Sequence, residues 1–150
     1  MVLKDKKMKK ALYIILAAIC MLTSCKKEMT LAEKMVGDWH CQATSVDAEI
    51  YVTFTAEGTF ALYQKIGEGA FRLYNGTYGL AGTVLSGKYN DGTAWGTSYE
   101  VTSSEADTLT LTAEGVAETY TRVTGGIPED VLGSCVTVVK SGGTEEVPFL

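Results

Sequence analysis

Between Gly37 and Val123 the chain repeats one pattern: a stretch of six to eleven residues, usually alternating apolar and polar, then a turn of Gly, Asn, Asp or Glu. The turns fall at Ala56–Thr59, Ile66–Gly69, Ala81–Gly82, Asn90–Thr93, Ser103–Asp107 and Glu114–Gly115. Period-two alternation describes a strand with one buried face. It puts Trp39, Cys41 and Ala43 on one side, then Ile50, Val52 and Phe54, then Phe60 and Leu62, and later Leu109 and Leu111. Short strands joined by hairpin-sized loops predict an all-β barrel or sandwich. Consecutive hairpins favour an up-and-down order, and closure removes exposed sheet edges. The expected fold is therefore a small up-and-down antiparallel β-barrel of about eight strands. A ninth strand arises if Asn75-Gly76 is a tight turn, and a glycine bulge in a bent strand is the other reading.

The flanks differ from this pattern. "TLAEKMVG" (30–37) predicts a short helix before the barrel, with Thr30 and Glu33 at capping-box spacing and Leu31 and Met35 on one face. "IPEDVLGS" (127–134) predicts a helical turn starting at Pro128, and "CVTVV" (135–139) a last short strand. "KSGGTEEVPFL" (140–150) is expected to be loose.

The first residues serve another purpose. Five lysines precede the apolar run Ala11–Leu22, which is shorter than the roughly 20 residues a membrane-crossing helix needs. A basic head, a short apolar run and a small-residue exit describe a secretory signal. The exit, Leu22-Thr23-Ser24-Cys25, resembles a bacterial lipobox. That resemblance implies lipidation of Cys25, cleavage before it and palmitate-type acylation of the new amine, because stable anchoring takes more than one acyl chain. Residues 1–24 are then a signal peptide, 25–29 the lipidated cysteine and a short tether, 30–124 the barrel and 125–150 a C-terminal segment. Lys26 after the cysteine implies outer-membrane rather than inner-membrane sorting, with the periplasmic or surface side left open. Removing residues 1–24 takes five of 13 basic and one of 18 acidic side chains, so the mature net charge is near −9. Such a chain is a poor partner for nucleic acid, whose affinity rests on lysine and arginine.

"GDW" (37–39) after a short helix resembles the lipocalin signature. "VTFTAEGTF" (52–60), "NGTYGL" (75–80), "DTLTLT" (107–112) and "ETYTRV" (118–123) resemble the bacterial lipocalin-like domain of many lipoproteins. The resemblance covers roughly residues 30–124. It implies that Trp39 on the first strand packs under Arg122 on the last, closing one barrel end, and that the interior holds a small apolar or amphipathic ligand. The candidate lining residues are Phe54, Phe60, Phe71, Tyr78, Trp95, Tyr99 and Tyr120. The same rings could instead fill the barrel, leaving an interaction module with an outward stripe of Tyr51, Tyr63 and Tyr74.

The sequence offers little for catalysis. No Gly-x-Ser-x-Gly, Walker-type loop or Cys-x-x-Cys is present, and the lone histidine, His40, alternates outward. The carboxylates lie mainly at strand ends, with no facing pair. No metal, cofactor or enzymatic role is expected. Cys41 and Cys135 remain. In an oxidising envelope they could form a disulfide, against the alternative of two buried free thiols; the compartment favours the bridge.

Replacement of the anchor residue tests the N-terminal reading: Cys25→Ala should abolish lipid labelling and leave the precursor uncut by the lipoprotein peptidase. A mutant that still fractionates with membranes after a high-salt wash would refute it.

Overall fold

The computed structural model describes residues 27–43, 46–139 and 147–150; Cys25 and the signal segment lie outside them. Helix α1 (Leu31–Met35) begins at Thr30, where the capping box is complete: the Thr30 hydroxyl accepts from the Glu33 N–H, and the Glu33 carboxylate accepts from the Thr30 N–H. Eight antiparallel strands follow: β1 (Gly37–Ala43), β2 (Ala48–Phe54), β3 (Thr59–Ile66), β4 (Arg72–Ala81), β5 (Val84–Tyr89), β6 (Tyr99–Ser104), β7 (Thr108–Ala113) and β8 (Val116–Arg122). Each pairs with its chain neighbour, and β8 returns to β1, so the sheet closes into the expected up-and-down antiparallel barrel. The inner faces carry the main core, including Trp39, Ile50, Val52, Phe54, Leu62 and Leu109.

The closing seam is narrow. β1 and β8 share two register pairs, Trp39 with Arg122 and His40 with Thr121. The Arg122 guanidinium sits 4.2 Å from the Trp39 ring centroid. It also donates to the carbonyls of Val36 (3.0 Å), Lys34 (2.9 Å) and Ala106 (2.5 Å). The indole of Trp39 donates to Met35 O at 2.8 Å. One arginine and one tryptophan thus satisfy carbonyls at the end of α1 that have no partner inside the helix. Gly37, at φ 134°, is required twice over: its backbone angle favours glycine, and a Cβ there would strike the Arg122 guanidinium.

Strand β4 runs without a break through Asn75-Gly76, which is neither a turn nor a bulge. Its first half pairs with β3 and its second half with β5. Gly76 sits at this crossover, where a Cβ would collide with the Lys88 backbone and lie 2.8 Å from the Phe60 ring. The free edge of the first half is taken by a parallel two-residue strand, β9 (Val136–Thr137). Helix α2 (Glu129–Ser134) precedes β9 and lays Val131 against Tyr63 and Phe71, making a second, outer cluster. Residues 95–98, expected as the start of the strand 95–101, form a returning loop; Trp95 N–H donates to Gly87 O at 3.0 Å, and its ring fills the space a Gly87 side chain would need.

Arg122→Ala should lower stability by about 1–3 kcal/mol, since it removes stacking area and leaves carbonyls unpaired. Arg122→Lys should recover only part of it, because an ammonium cannot reach three carbonyls as a planar fork does. Chemical denaturation measures both, and an unchanged midpoint for Arg122→Ala would contradict this role.

Candidate functional site

The barrel end opposite α1 is gathered by alternate turns, among them Gly67, whose N–H donates to Asp47 O at 2.8 Å, and Glu114–Gly115. Here the interior turns polar. Along β3 the inward residues are Phe60, Leu62 and then Gln64, which is wholly buried. A buried amide needs partners, and Gln64 finds them in residues 147–150. Its Nε2 donates to Val147 O (3.0 Å) and its Oε1 accepts from Phe149 N–H (2.8 Å). The Tyr99 hydroxyl donates to Phe149 O at 2.5 Å, and the Tyr89 hydroxyl donates to Leu150 O. Leu150 is 3% exposed and belongs to the main core; Phe149 packs against that core from its rim. The segment 147–150, expected to be loose, is instead seated in the mouth because barrel side chains satisfy its peptide groups and its leucine buries.

Clefts remain on both sides of this segment. One of ≈180 Å³ lies among Tyr89, Thr93, Ala94 and Gly96. The other, ≈280 Å³, lies among Tyr99, Leu111, Ala113, Glu118 and Tyr120. The hydroxyls around them stay protonated. Burial raises the pKa of Tyr89, Tyr99 and Tyr120; neighbouring Tyr99 adds to it for Tyr89, Glu114 for Tyr99, and Cys41 for Tyr120. These are donors across the physiological range rather than acids or bases.

The candidate lining residues divide. Phe54, Phe60, Trp95 and Tyr120 are buried in the main core, and Tyr78 and Tyr99 pack against it. Phe60 meets Trp95 edge-on at 5.1 Å between centroids, and Trp95 meets Tyr99 at 6.1 Å. Phe54 and Tyr78 lie toward the closed end, where the Tyr78 hydroxyl donates to Thr55 O at 2.7 Å. Phe71 does not line the interior. It belongs to the outer cluster, because β4 keeps strict alternation and its inward face includes Tyr74, Gly76 and Tyr78. The same parity takes Tyr74 out of the expected outward stripe, while the outer cluster beneath α2 buries Tyr63 and leaves Tyr51 half-buried. His40 does face outward, with its Nε2 3.4 Å from Glu49, which Lys65 meets at 3.0 Å. Among the described residues no three His, Cys, Asp or Glu side chains gather as a metal site.

Cys41 and Cys135 are free thiols, so the expected disulfide is not formed. The reason is the wall between them. Cys41 points into the barrel toward Glu118 Oε2 at 3.8 Å, while Cys135 lies in the outer cluster and contacts Leu132 O. Gln64 and Tyr89, absent from the expected set, were accessible to simple parity: Gln64 follows Phe60 and Leu62, and Tyr89 follows Leu85. The seat for residues 147–150 left only a faint trace, an apolar "VPFL" after a polar run.

A soluble form starting at Lys26 contains these two thiols alone, and both should react after denaturation without reductant. In the native state Cys135 should react first. Burial, with the Glu118 carboxylate, pushes the Cys41 thiol up to about 12, so its labelling should stay slow from pH 7 to 10. A count of zero, or equal native rates, would contradict this arrangement.

No family model and no curated protein matches the chain. An NMR structure of a protein from Bacteroides uniformis aligns at a TM-score of 0.53 with 13% identity, over 62% of this chain and 92% of that one. A crystal structure of a lipocalin-like protein from Bacteroides uniformis aligns at 0.48 with 18% identity, over 60% and 99%. One of an uncharacterized protein from Bacteroides eggerthii aligns at 0.45 with 15% identity, over 59% and 99%. The first of these likenesses shows a shared fold: the barrel is one that this chain has in common with a Bacteroides protein spanned over nearly its full length.

Proposed function

We propose that the protein is a lipid-anchored lipoprotein of the outer membrane, held through Cys25, whose barrel binds a small apolar or amphipathic ligand at its mouth without catalysis. One observation carries the binding reading: an apolar seat with convergent polar groups, Gln64, Tyr89 and Tyr99, which already holds an apolar stretch of chain. Small-molecule sites have this composition, mostly apolar with a few fixed polar groups. The clefts beside residues 147–150 give the seat room to grow if that segment leaves. The lower half of the barrel, packed with Phe54, Phe60, Tyr74 and Trp95, is a floor rather than a cavity. That same filling favours a second reading, a solid barrel acting as an accessory module of an envelope complex.

A dansyl-labelled fatty acid separates the two. It should gain emission saturably on binding, and Ala113→Trp, which fills the larger cleft, should weaken binding about tenfold or more while the fold is kept. Arg122→Ala, at the far end, should leave the affinity of the folded fraction unchanged. No saturable uptake, whether by the intact chain or by a Phe149→Ser, Leu150→Ser form, would reject a lipid-like ligand, and a serine form that took up no other apolar guest either would leave the solid barrel.

A further inference from the structure

The contacts that hold residues 147–150 are directed at backbone. Val147 O, Phe149 N–H, Phe149 O and Leu150 O are each met by a barrel side chain. Gln64 engages the carbonyl of residue 147 and the amide of residue 149, two positions apart. A residue in a parallel strand, through its own N–H and C=O, contacts the residues on either side of its partner in the same way. The residue skipped is Pro148, which has no N–H to satisfy. Side-chain demands are slight by comparison: Val147 is 76% exposed, and Leu150 alone is deeply buried. A site built for a simple hydrocarbon would have no use for a fully buried amide with both its ends committed to a peptide.

We propose that the mouth of the barrel is a peptide-reading site. It takes a short, extended apolar segment that buries one aliphatic side chain, and residues 147–150 are its resident, exchangeable occupant. This deepens the proposed ligand-binding reading and rests on it: the ligand class becomes an apolar peptide or another amide-bearing chain of that shape. Tethering gives the resident segment an effective concentration of about millimolar. A competitor from solution therefore meets a site already filled, and its apparent affinity falls by the fraction of time the mouth stands empty.

The test uses the chain from Lys26 to Leu150 and a fluorescein-labelled peptide, Thr-Glu-Glu-Val-Pro-Phe-Leu, followed by anisotropy. The Phe149→Ser, Leu150→Ser form, whose own segment no longer has an apolar anchor, should bind the peptide at least tenfold more tightly than the unaltered chain. Adding Gln64→Leu to that form should weaken binding about tenfold. Tyr99→Phe, which removes a single hydroxyl, should weaken it severalfold and serves where Gln64→Leu fails to fold. Equal binding to the serine form and the unaltered chain would overturn the proposal, as would no binding to a folded serine form or indifference to Gln64→Leu and Tyr99→Phe. The dansyl fatty acid added to the same serine form keeps the two readings apart. Fatty-acid uptake without peptide binding rejects the peptide site and leaves the small-ligand reading. Peptide binding without fatty-acid uptake supports the peptide site and rejects the lipid-like ligand.

Discussion

The barrel depends on how its last strand is joined to its first. Seven of the eight seams link chain neighbours, and most run four or more register pairs; the β5–β6 seam, with two, is helped by the returning loop. The β1–β8 seam closes a separation of more than eighty residues with two pairs. What it lacks in ladder bonds is supplied by side chains. Arg122 stacks on Trp39 and bonds three carbonyls, two from the end of α1 and one from the β6–β7 turn. A charge-assisted donor is stronger than a neutral one, and here a single planar group serves helix, turn and both strands. Loss of this joint would expose two long edges, the state that closure exists to prevent.

Inside the wall, glycine and aromatic residues are complementary. Gly76 and Gly87, both on inward positions, give up volume that Phe60 and Trp95 fill, and these two rings then meet edge to face. The lower barrel is solid as a result. In the upper barrel the described rings are those of Tyr89, Tyr99 and Tyr120, which carry hydroxyls. This half is completed by Leu150 and Phe149, held by Gln64, Tyr89 and Tyr99. The division between floor and mouth thus follows from which strand positions carry rings and which carry an amide or hydroxyl.

Much of this was legible in the sequence. Alternation and turn residues located all eight strands, the capping box located α1, and Pro128 marked the start of α2. Parity fixed the inward residues wherever a strand was read as one piece. It failed on β4, where Asn75-Gly76 read as either a tight turn or a bulge; either one between Phe71 and Tyr78 would have allowed both to point inward, and Tyr74 outward. The glycine is there for Phe60 and the Lys88 backbone, a contact made only in three dimensions. The cysteines misled for a related reason, since the expectation of an oxidising envelope favoured a pair that the barrel wall keeps apart. The seat of residues 147–150 lay beyond local pattern altogether, because it joins Gln64 to a segment more than eighty positions away.

The position of α1 also sets a direction. The helix is bolted by Arg122 and Trp39 to the closed end, and Thr30, its cap, stands only five positions after Cys25. Four extended residues between them reach about 13–14 Å. Under the proposed anchoring, the floor of the barrel is therefore drawn down toward the lipid headgroups, and the mouth points away from them. A guest would arrive from the aqueous side rather than by sliding sideways out of the bilayer, and residues 147–150, once displaced, would be released on the face turned away from the membrane.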